Sequence, residues 1–385
     1  MLLNNISKLI SVQMNRLFYI NYILLILSII IFSIGLILLY SAGGGSMEPW
    51  GSKQLIRFII SIGVFLSVSI INIRFWLGSS YYIYAFSLFL LLLVNFYGNT
   101  GMGSQRWLNL GLFNLQPSEL IKFSLVLVLA RYFHNEKDLN FWNNCKNFTY
   151  PLVLISIPAY IIFQQPDLGS SLIVIIGSVT ILFVIGLSLW FFIGSAILIS
   201  ILAPIAWIYL LYDYQKNRIF TFLDPLRDPL GSGYHIIQSK IALGSGGLFG
   251  KGFLQGTQSH LNFLPEMQTD FIFTLLAEEF GILGTLILLF LFFIIIFYSL
   301  VIGLICKSRF ACFVSIGVSI NIFYYVFINT AMVSGLIPIV GVPLPLVSYG
   351  GTSMMCVMFG LGLVSNSYLF RNEVLPRYKV GLLGW

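Results

Sequence analysis

Long apolar runs recur along the whole chain, and they limit its fold more than any other feature. The first of them, residues 18–40, contains no charged residue. A helix of about 20 apolar residues crosses a hydrocarbon core about 30 Å thick, and backbone groups that face lipid must be paired within a helix. The chain is 58% hydrophobic and 9% charged, far from the roughly 25% charged residues of soluble domains. The sequence therefore predicts an all-α, polytopic membrane protein.

The apolar runs predict about ten transmembrane helices. Their ranges are 18–40, 55–71, 81–97, 118–133, 150–163, 169–185, 187–211, 270–304, 310–336 and 348–370. Residues 212–269 are then a large extracytoplasmic loop between spans seven and eight. No hydrophilic linker and no repeat of fixed period divides the chain, so residues 1–385 are interpreted as a single membrane domain.

The large loop is predicted to be folded. Residues 234–243 follow a turn and place Ile236, Ile237, Ile241 and Leu243 on one side. This spacing indicates a short interfacial helix.

Basic residues in the short links predict the orientation of the chain. Links rich in Lys and Arg remain in the cytoplasm. With the N-terminus inside, the inward links contain Arg74, Arg131, Lys137, Lys146, Lys307, Arg309, Arg371, Arg377 and Lys379. Both termini are therefore predicted to be cytoplasmic.

The distribution of charged residues, cysteines and histidines argues against several other classes. The net charge is +7, but the basic residues form no dense run, so no nucleic acid partner is predicted. The four cysteines fall in inward links or within spans, and no disulfide framework follows. The three histidines are far apart and lack the spacing of a zinc site.

Ionisable side chains collect at the outward ends of several spans, where each is costly and is therefore a site candidate. The candidates are Arg106 with the adjacent Trp107, Glu119, Lys122, Asp167, Lys251, Glu266 and Asp270. Cations and carboxylates on one face suit a substrate that bears phosphates and hydroxyl groups. A divalent cation, Mg²⁺ or Mn²⁺, that bridges an acid and a phosphate would also suit this set.

Asp270 stands where a polar loop becomes a helix, which leaves two interpretations. It is either a helix cap or first-turn acid, or a general base whose pKa is tuned at a dry boundary. Glu266, Thr274 and Glu278 would continue a helical row with it at intervals of four residues. For Glu278, pairing with an interior cation and a catalytic role remain equally open.

The other candidates also have structural explanations. Glu119 and Lys122 are three residues apart on one helix face and suit a local ion pair. Asp167 suits the cap of the next span, and Arg106 beside Trp107 suits an interfacial anchor.

The glycine-rich stretch 244–256 does not match a phosphate-binding loop. Gly252 follows Lys251 where that motif needs Ser or Thr, and Ser245 replaces its first Gly. The glycines are interpreted as turns that let the backbone approach a membrane-embedded ligand.

Four segments together resemble one family. They are GSQRWLNLG with QPSELIKF, QPDLGSS, KGFLQGTQSHLNFLPEMQTDFIFTLLAEEFG and VGVPLPLVSYGGTSM, and the similarity extends over residues 103–366. This pattern resembles the SEDS (shape, elongation, division, sporulation) family of bacterial peptidoglycan glycosyltransferases. The sequences of the last two segments are more similar to the elongation branch of the family than to its division branch.

The resemblance implies a reaction at the outer face of the bacterial cytoplasmic (inner) membrane. The family polymerises lipid II, a disaccharide-pentapeptide on undecaprenyl pyrophosphate, into glycan strands. Asp270 would be the essential acid, a base that deprotonates the acceptor hydroxyl. Glu119, Lys122 and Asp167 match positions that line the family's central cavity.

The resemblance further implies substrate contacts and a partner. Arg106, Trp107 and Lys251 fall in motifs expected to meet sugar or pyrophosphate. The partner would be a class B penicillin-binding protein with transpeptidase activity that docks on the membrane helices. Many members have His just before the Thr-Asp pair, whereas this chain has Gln268, so a mechanism that moves protons through that His is not expected.

Two other classes share the many-spanning architecture. A lipid II flippase or other transporter would place its site near the midplane between repeats or broken helices, whereas the candidates here lie toward one face. A non-catalytic scaffold for cell-wall assembly would tolerate replacement of Asp270 by Asn.

Overall fold

The computed structural model describes residues 16, 19–101, 104–109, 111, 114–135, 146–165, 167–186, 189–209, 213–228, 231–260 and 266–376. This part of the chain is mostly helical. Its helices are α1 (Tyr22–Ala42), α2 (Gly51–Ile70), α3 (Ile73–Tyr97), α4 (Pro117–Asn135), α5 (Lys146–Gln164), α6 (Leu168–Ile185), α7 (Leu189–Tyr209), α8 (Asp213–Leu223), α9 (Ser232–Ser245), α10 (Thr257–His260), α11 (Ile272–Ile305), α12 (Arg309–Val333) and α13 (Gly351–Leu369).

A helix is present in each predicted span, and seven of the described helices are long and apolar enough to cross a membrane. These seven are α1, α2, α3, α6, α11, α12 and α13. The polytopic helical fold is therefore confirmed, whereas the count of ten spans stays a prediction. The difference has a physical cause in α4, whose apolar run is interrupted by Glu119, Lys122 and Arg131.

Helices α4 and α12 form the centre of the bundle. Every side chain of α4 from residue 121 to 131 is buried, and α12 packs against α4, α6, α11 and α13. A helix that is buried on all sides can carry polar residues only where protein partners satisfy them. The centre is therefore where buried polar side chains can be held.

A small sheet, which the sequence analysis did not predict, modifies the all-α assignment. Strands β1 (Asn99–Gly101), β2 (Ser104–Asn109) and β3 (Asn114–Leu115) are antiparallel in the order β1-β2-β3. The strands are too short to give an alternating pattern that stands out among the apolar runs. β2 contacts α3 and α4, and β3 contacts α13, so the sheet closes one end of the bundle.

The predicted helix of the large loop is present as α9, but the side predicted to be apolar is not the side that packs on protein. Ile236, Ser239 and Ala242 are buried, whereas Ile241 is 46% exposed. Ser239 donates to the Val333 carbonyl at 2.7 Å, so α9 packs on protein through a mixed face.

The glycines that follow α9 approach protein backbone, not the ligand that the sequence analysis expected. A Cβ at Gly246 would lie 1.9 Å from the Ala277 carbonyl oxygen, and one at Gly250 would lie 2.1 Å from that of Glu279. The chain here runs directly along α11. Only glycine permits backbones to come this close.

This close approach supplies hydrogen-bond partners for the backbone groups that a kink inside α11 frees. Gly281 has φ 64° and ψ −163°, which interrupts the helical hydrogen bonds. The Lys251 and Gly252 N–H groups donate to the carbonyls of Glu278 and Glu279 at 2.9 and 3.1 Å. Backbone groups freed at a kink in a membrane helix need such partners.

Gly246→Ala is expected to destabilise the protein, because the added Cβ meets the Ala277 carbonyl oxygen and forces the two backbones apart. Overpacking of this kind costs about 1–3 kcal/mol. Gly244→Ala is the matched control, since a Cβ there meets nothing within 4 Å. Thermal unfolding in detergent should show a lower midpoint for Gly246→Ala only; equal midpoints would contradict the packing described here.

Candidate functional site

A cavity of about 300 Å³ with charged side chains in its walls opens at the end of the bundle that carries the small sheet. Its walls come from β2, α4, α6, the turn before α11 and the segment before α13. The lining residues are Arg106, Trp107, Gln116, Glu119, Lys122, Ser170, Glu266, Thr269, Asp270, Gly341, Val342, Pro343, Tyr349, Gly350 and Ser353. Six of the eight predicted site residues therefore meet in one cavity, namely Arg106, Trp107, Glu119, Lys122, Glu266 and Asp270.

Asp270 lies in the turn before α11 and does not cap that helix. The cap position is Phe271, and no side chain accepts a hydrogen bond there. The Asp270 carboxylate instead faces the cavity beside Gly341, where an added Cβ would lie 3.3 Å from Oδ2. Of the two interpretations from the sequence, the capping one does not match this geometry.

Burial, and after it the charge of the Glu266 carboxylate, raises the pKa of Asp270 from 3.8 to about 6. Arg106 and Arg218 oppose this shift because their positive charges favour the ionised carboxylate. A carboxyl group whose pKa lies close to the working pH can accept a proton and release it again.

The turn that carries Asp270 is fastened to the segment before α13. The Tyr349 N–H donates to the Gln268 carbonyl at 2.8 Å, and the Ser348 hydroxyl donates to the Thr269 carbonyl at 2.6 Å. Gln54 of α2, which is fully buried, donates to the Ser348 carbonyl at 2.9 Å. These bonds pair the backbone of two non-helical segments and hold them together.

Glu119 and Lys122 form the local ion pair that their spacing indicates. Lys122 Nζ lies 2.7 Å from Glu119 Oε1. Tyr325 of α12 joins the pair: its hydroxyl donates to Glu119 and lies 2.8 Å from Lys122 Nζ. All three side chains are buried, so the charges are compensated inside the protein and still border the cavity.

Arg106 and Asp167 form a second pair. Arg106 Nε is 3.5 Å from Asp167 Oδ2. The other carboxylate oxygen of Asp167 accepts from the Ser170 N–H at 3.1 Å, so Asp167 is also the cap of α6, as the sequence indicates. Strand β2 presents Arg106 and the adjacent Trp107 to the cavity.

Lys251 is not among the residues that line the cavity. Its Nζ lies 2.8 Å from Glu278 Oε1 and 2.7 Å from the Thr257 hydroxyl. Glu278 also accepts from the Gln258 N–H at 2.9 Å. Of the two roles left open for Glu278, the structure therefore has the pairing with a lysine.

The predicted row of Glu266, Asp270, Thr274 and Glu278 is not a helical row, since α11 begins only at Ile272. Glu266 has φ 50° and accepts from the hydroxyl of Thr269 at 3.2 Å within its own turn. Thr274 lies 3.2 Å from the Ser239 hydroxyl of α9 instead.

Several residues at the site were missed by the sequence analysis. Tyr349 borders the cavity, with the Arg57 guanidinium 4.7 Å above its ring. The positive charge of Arg218 of α8 acts to lower the pKa of Asp270. Tyr325 and Asn329 of α12 were missed because only ionisable residues in spans were weighed. Uncharged polar side chains inside a span are also costly, so counting them as site candidates would have included both residues.

No group of three or more His, Cys, Asp and Glu side chains among the described residues is arranged to hold a metal ion. Of the carboxylates that line the cavity, Glu119 pairs with Lys122 and Glu266 bonds within its own turn, so Asp270 alone has no ion pair or turn bond among the described residues. This donor set does not favour the predicted cation.

Comparison with known proteins agrees with this architecture. Residues 16–373 match the family model FtsW, RodA and SpoVE, described as cell cycle protein. Peptidoglycan glycosyltransferase MrdB of Escherichia coli strain K12 is 42% identical over 353 residues, which cover 91% of this chain and 93% of that protein.

Two solved structures are similar over nearly their whole length. A chain from a peptidoglycan synthase complex that coordinates polymerization and crosslinking is 31% identical, with a TM-score of 0.75 over 91% of this chain and 98% of that chain. The rod shape determining protein RodA of Thermus thermophilus is 25% identical, with a TM-score of 0.69 over 92% and 98%.

Fold and cavity define a multi-pass helical membrane protein with a charged site at one end of its bundle. The chain belongs to the FtsW, RodA and SpoVE family of cell cycle proteins.

The Asp270 carboxyl is expected to titrate near pH 6, measured in infrared difference spectra between the wild type and Asp270→Asn. Glu266→Gln should lower the midpoint, because the Glu266 carboxylate raises this pKa. Since the folded pKa exceeds the ordinary value, the contribution of Asp270 to stability is lost as pH rises from about 4 to about 6. A wild-type midpoint near 3.8 would contradict the burial described here.

Proposed function

We propose that this protein is a peptidoglycan glycosyltransferase that polymerises lipid II into β-1,4-linked glycan strands during cell elongation. The observation that carries the proposal is the Asp270 carboxylate with its raised pKa, in a cavity that also exposes cationic groups. The family and the glycosyltransferase relative at 42% identity support the reaction class.

In the proposed reaction, Asp270 removes the proton of the acceptor sugar hydroxyl. The hydroxyl oxygen attacks the anomeric carbon that carries undecaprenyl pyrophosphate. The new glycosidic bond forms as the bond to pyrophosphate breaks, and the configuration at the anomeric carbon inverts. The electron pair leaves with the pyrophosphate, and the proton remains on Asp270 until it passes to solvent.

Arg106 and Lys122 are proposed to bind the anionic part of the substrate. Each is held by a buried carboxylate, Asp167 and Glu119 respectively, so its position is fixed before substrate enters. Preorganised cations stabilise the charge that develops on a leaving pyrophosphate. Trp107 and Tyr349 line the same cavity and would supply aromatic contacts to the sugar rings.

The site is proposed to face the outer side of the bacterial cytoplasmic membrane, with both termini in the cytoplasm. The opposite end of the bundle carries basic residues of the predicted inward links, including Arg74, which pairs with Glu373 at 2.8 Å. A class B penicillin-binding protein is the proposed partner. This proposal is supported by the synthase complex that contains a chain of similar fold.

The geometry supports an enzyme more than a transporter. A transporter binds its substrate near the midplane between repeats or broken helices, whereas this cavity lies at one end, bordered by the sheet. The kink at Gly281 does lie within a membrane helix, but its freed carbonyls bind the Lys251 segment, not a cavity.

Asp270→Asn is expected to abolish glycan-strand synthesis from lipid II by the purified protein with its transpeptidase partner. Loss of a general base lowers rates by about 100- to 10,000-fold. Glu373→Gln, at the far end of the bundle, is the control. Neither variant should unfold below the wild-type temperature, and both should bind the partner. Equal synthesis by wild type and Asp270→Asn would remove Asp270 from this role, and no synthesis by the wild type would favour the transporter.

The role of the Glu119 and Lys122 pair can be separated from its contribution to stability. Either single substitution leaves a buried charge unpaired, which costs about 3–5 kcal/mol. The double variant Glu119→Gln with Lys122→Met removes both charges at similar volume. It is expected to recover the unfolding temperature but to lose polymerisation at least tenfold. Full polymerisation by the double variant would show that the pair is only structural.

A further inference from the structure

We propose that α12 carries a row of positioning residues, Asn321, Tyr325 and Asn329, that fixes the two halves of the active site relative to each other. The proposal rests on the proposed function, because the halves are the Asp270 turn and the Glu119–Lys122 pair. The three residues recur at intervals of four along α12, so they lie on one face of the helix.

All three side chains are buried, and Asn329 is fully so. Polar side chains inside a membrane helix are expensive and need partners. Here the partners are elements of the cavity wall, so one rigid helix touches both halves of the site. Sites that are supported by helices keep their geometry more tightly than sites supported by loops.

Asn329 links the Asp270 turn to the cavity wall that the Asp270 carboxylate faces. Its side-chain amide nitrogen donates to the Asp270 carbonyl at 2.9 Å and to the Val342 carbonyl at 2.7 Å. Gly341, which precedes Val342, is the residue that borders the Asp270 carboxylate. A single amide group therefore sets both the backbone of Asp270 and the surface against which its carboxylate rests.

Tyr325, one helical turn before Asn329 in α12, fixes the Glu119–Lys122 pair. Its hydroxyl lies between Glu119 and Lys122, and Lys122 Nζ lies 4.3 Å from the centre of its ring. Without this hydroxyl the two side chains keep only each other. The Lys122 ammonium group would then lose one of the two hydrogen-bond partners that fix its position beside the cavity.

Asn321 holds the backbone beneath the pair. Its side-chain amide donates to the Lys122 carbonyl at 3.2 Å, and a Cβ at Gly177 of α6 would lie 2.9 Å from its oxygen. The side chain thus fills the space where α4, α6 and α12 meet. The row therefore runs from the backbone of Lys122 to the backbone of Asp270 on a single helix.

The test uses variants of the row and matched controls in the complex with the partner. Asn329→Ala is compared with Asn366→Ala, because Asn366 is equally buried and donates to backbone carbonyls of Val68 and Ser69 away from the cavity. Tyr325→Phe is compared with Tyr84→Phe, because the buried Tyr84 hydroxyl donates to the Leu154 carbonyl at 2.7 Å.

Turnover, KM and unfolding temperature are measured for each variant. For the row variants, turnover should fall by about 10- to 100-fold with KM changed less than threefold, since misplacement of a catalytic group by about 1 Å has an effect of this size. The control variants should have the same unfolding temperatures as the row variants but keep wild-type turnover.

A second readout does not depend on activity. The infrared titration midpoint of the Asp270 carboxyl should move in Asn329→Ala and stay unchanged in Asn366→Ala. Polymerisation by Tyr325→Phe at the wild-type rate, or an unmoved midpoint in Asn329→Ala, would overturn the positioning role. If the wild type makes no polymer, the proposed function fails, and the midpoint alone then decides whether Asn329 positions Asp270.

Discussion

The site depends on one constraint: polar backbone groups within a bilayer must find partners in the protein, because lipid offers none. The chain departs from helical structure in the turn at Asp270 and in the segment before α13, and backbone groups of each segment bond to the other segment or to a buried side chain. Tyr349, Ser348 and Asn329 supply these bonds. Irregular backbone is thus tolerated here because it lines a cavity and is hydrogen-bonded to neighbouring segments.

The same constraint separates the roles of the carboxylates. Glu119, Asp167 and Glu278 each lie against a cation, at 2.7, 3.5 and 2.8 Å. Asp270 has no such partner at bonding distance among the described ion pairs, and its burial raises the pKa to about 6. Charges that are paired hold the framework and its cations in place. A carboxylate whose environment pushes its pKa toward neutrality can move a proton.

Much of the fold followed from the apolar runs, because their length and the cost of unpaired backbone leave helices as the only solution. Six of the eight candidate residues also line one cavity, whereas their roles stay predictions. Lys251 did not line the cavity, since the glycines beside it bring its segment onto the kink at Gly281. The sheet was missed because strands of two to six residues carry too little periodicity.

The sequence by itself determined that this chain is a helical membrane protein, which family its motifs resemble, and which ionisable residues gather toward one face. Those properties are local, or they follow from composition and spacing. The tertiary structure decided which carboxylate is paired and which borders the cavity with a raised pKa. It also brought α12 against both halves of the site, where Tyr325 contacts the Glu119–Lys122 pair and Asn329 contacts Asp270. These contacts join residues about 60 to 200 positions apart, and only packing of the bundle sets distances over such separations.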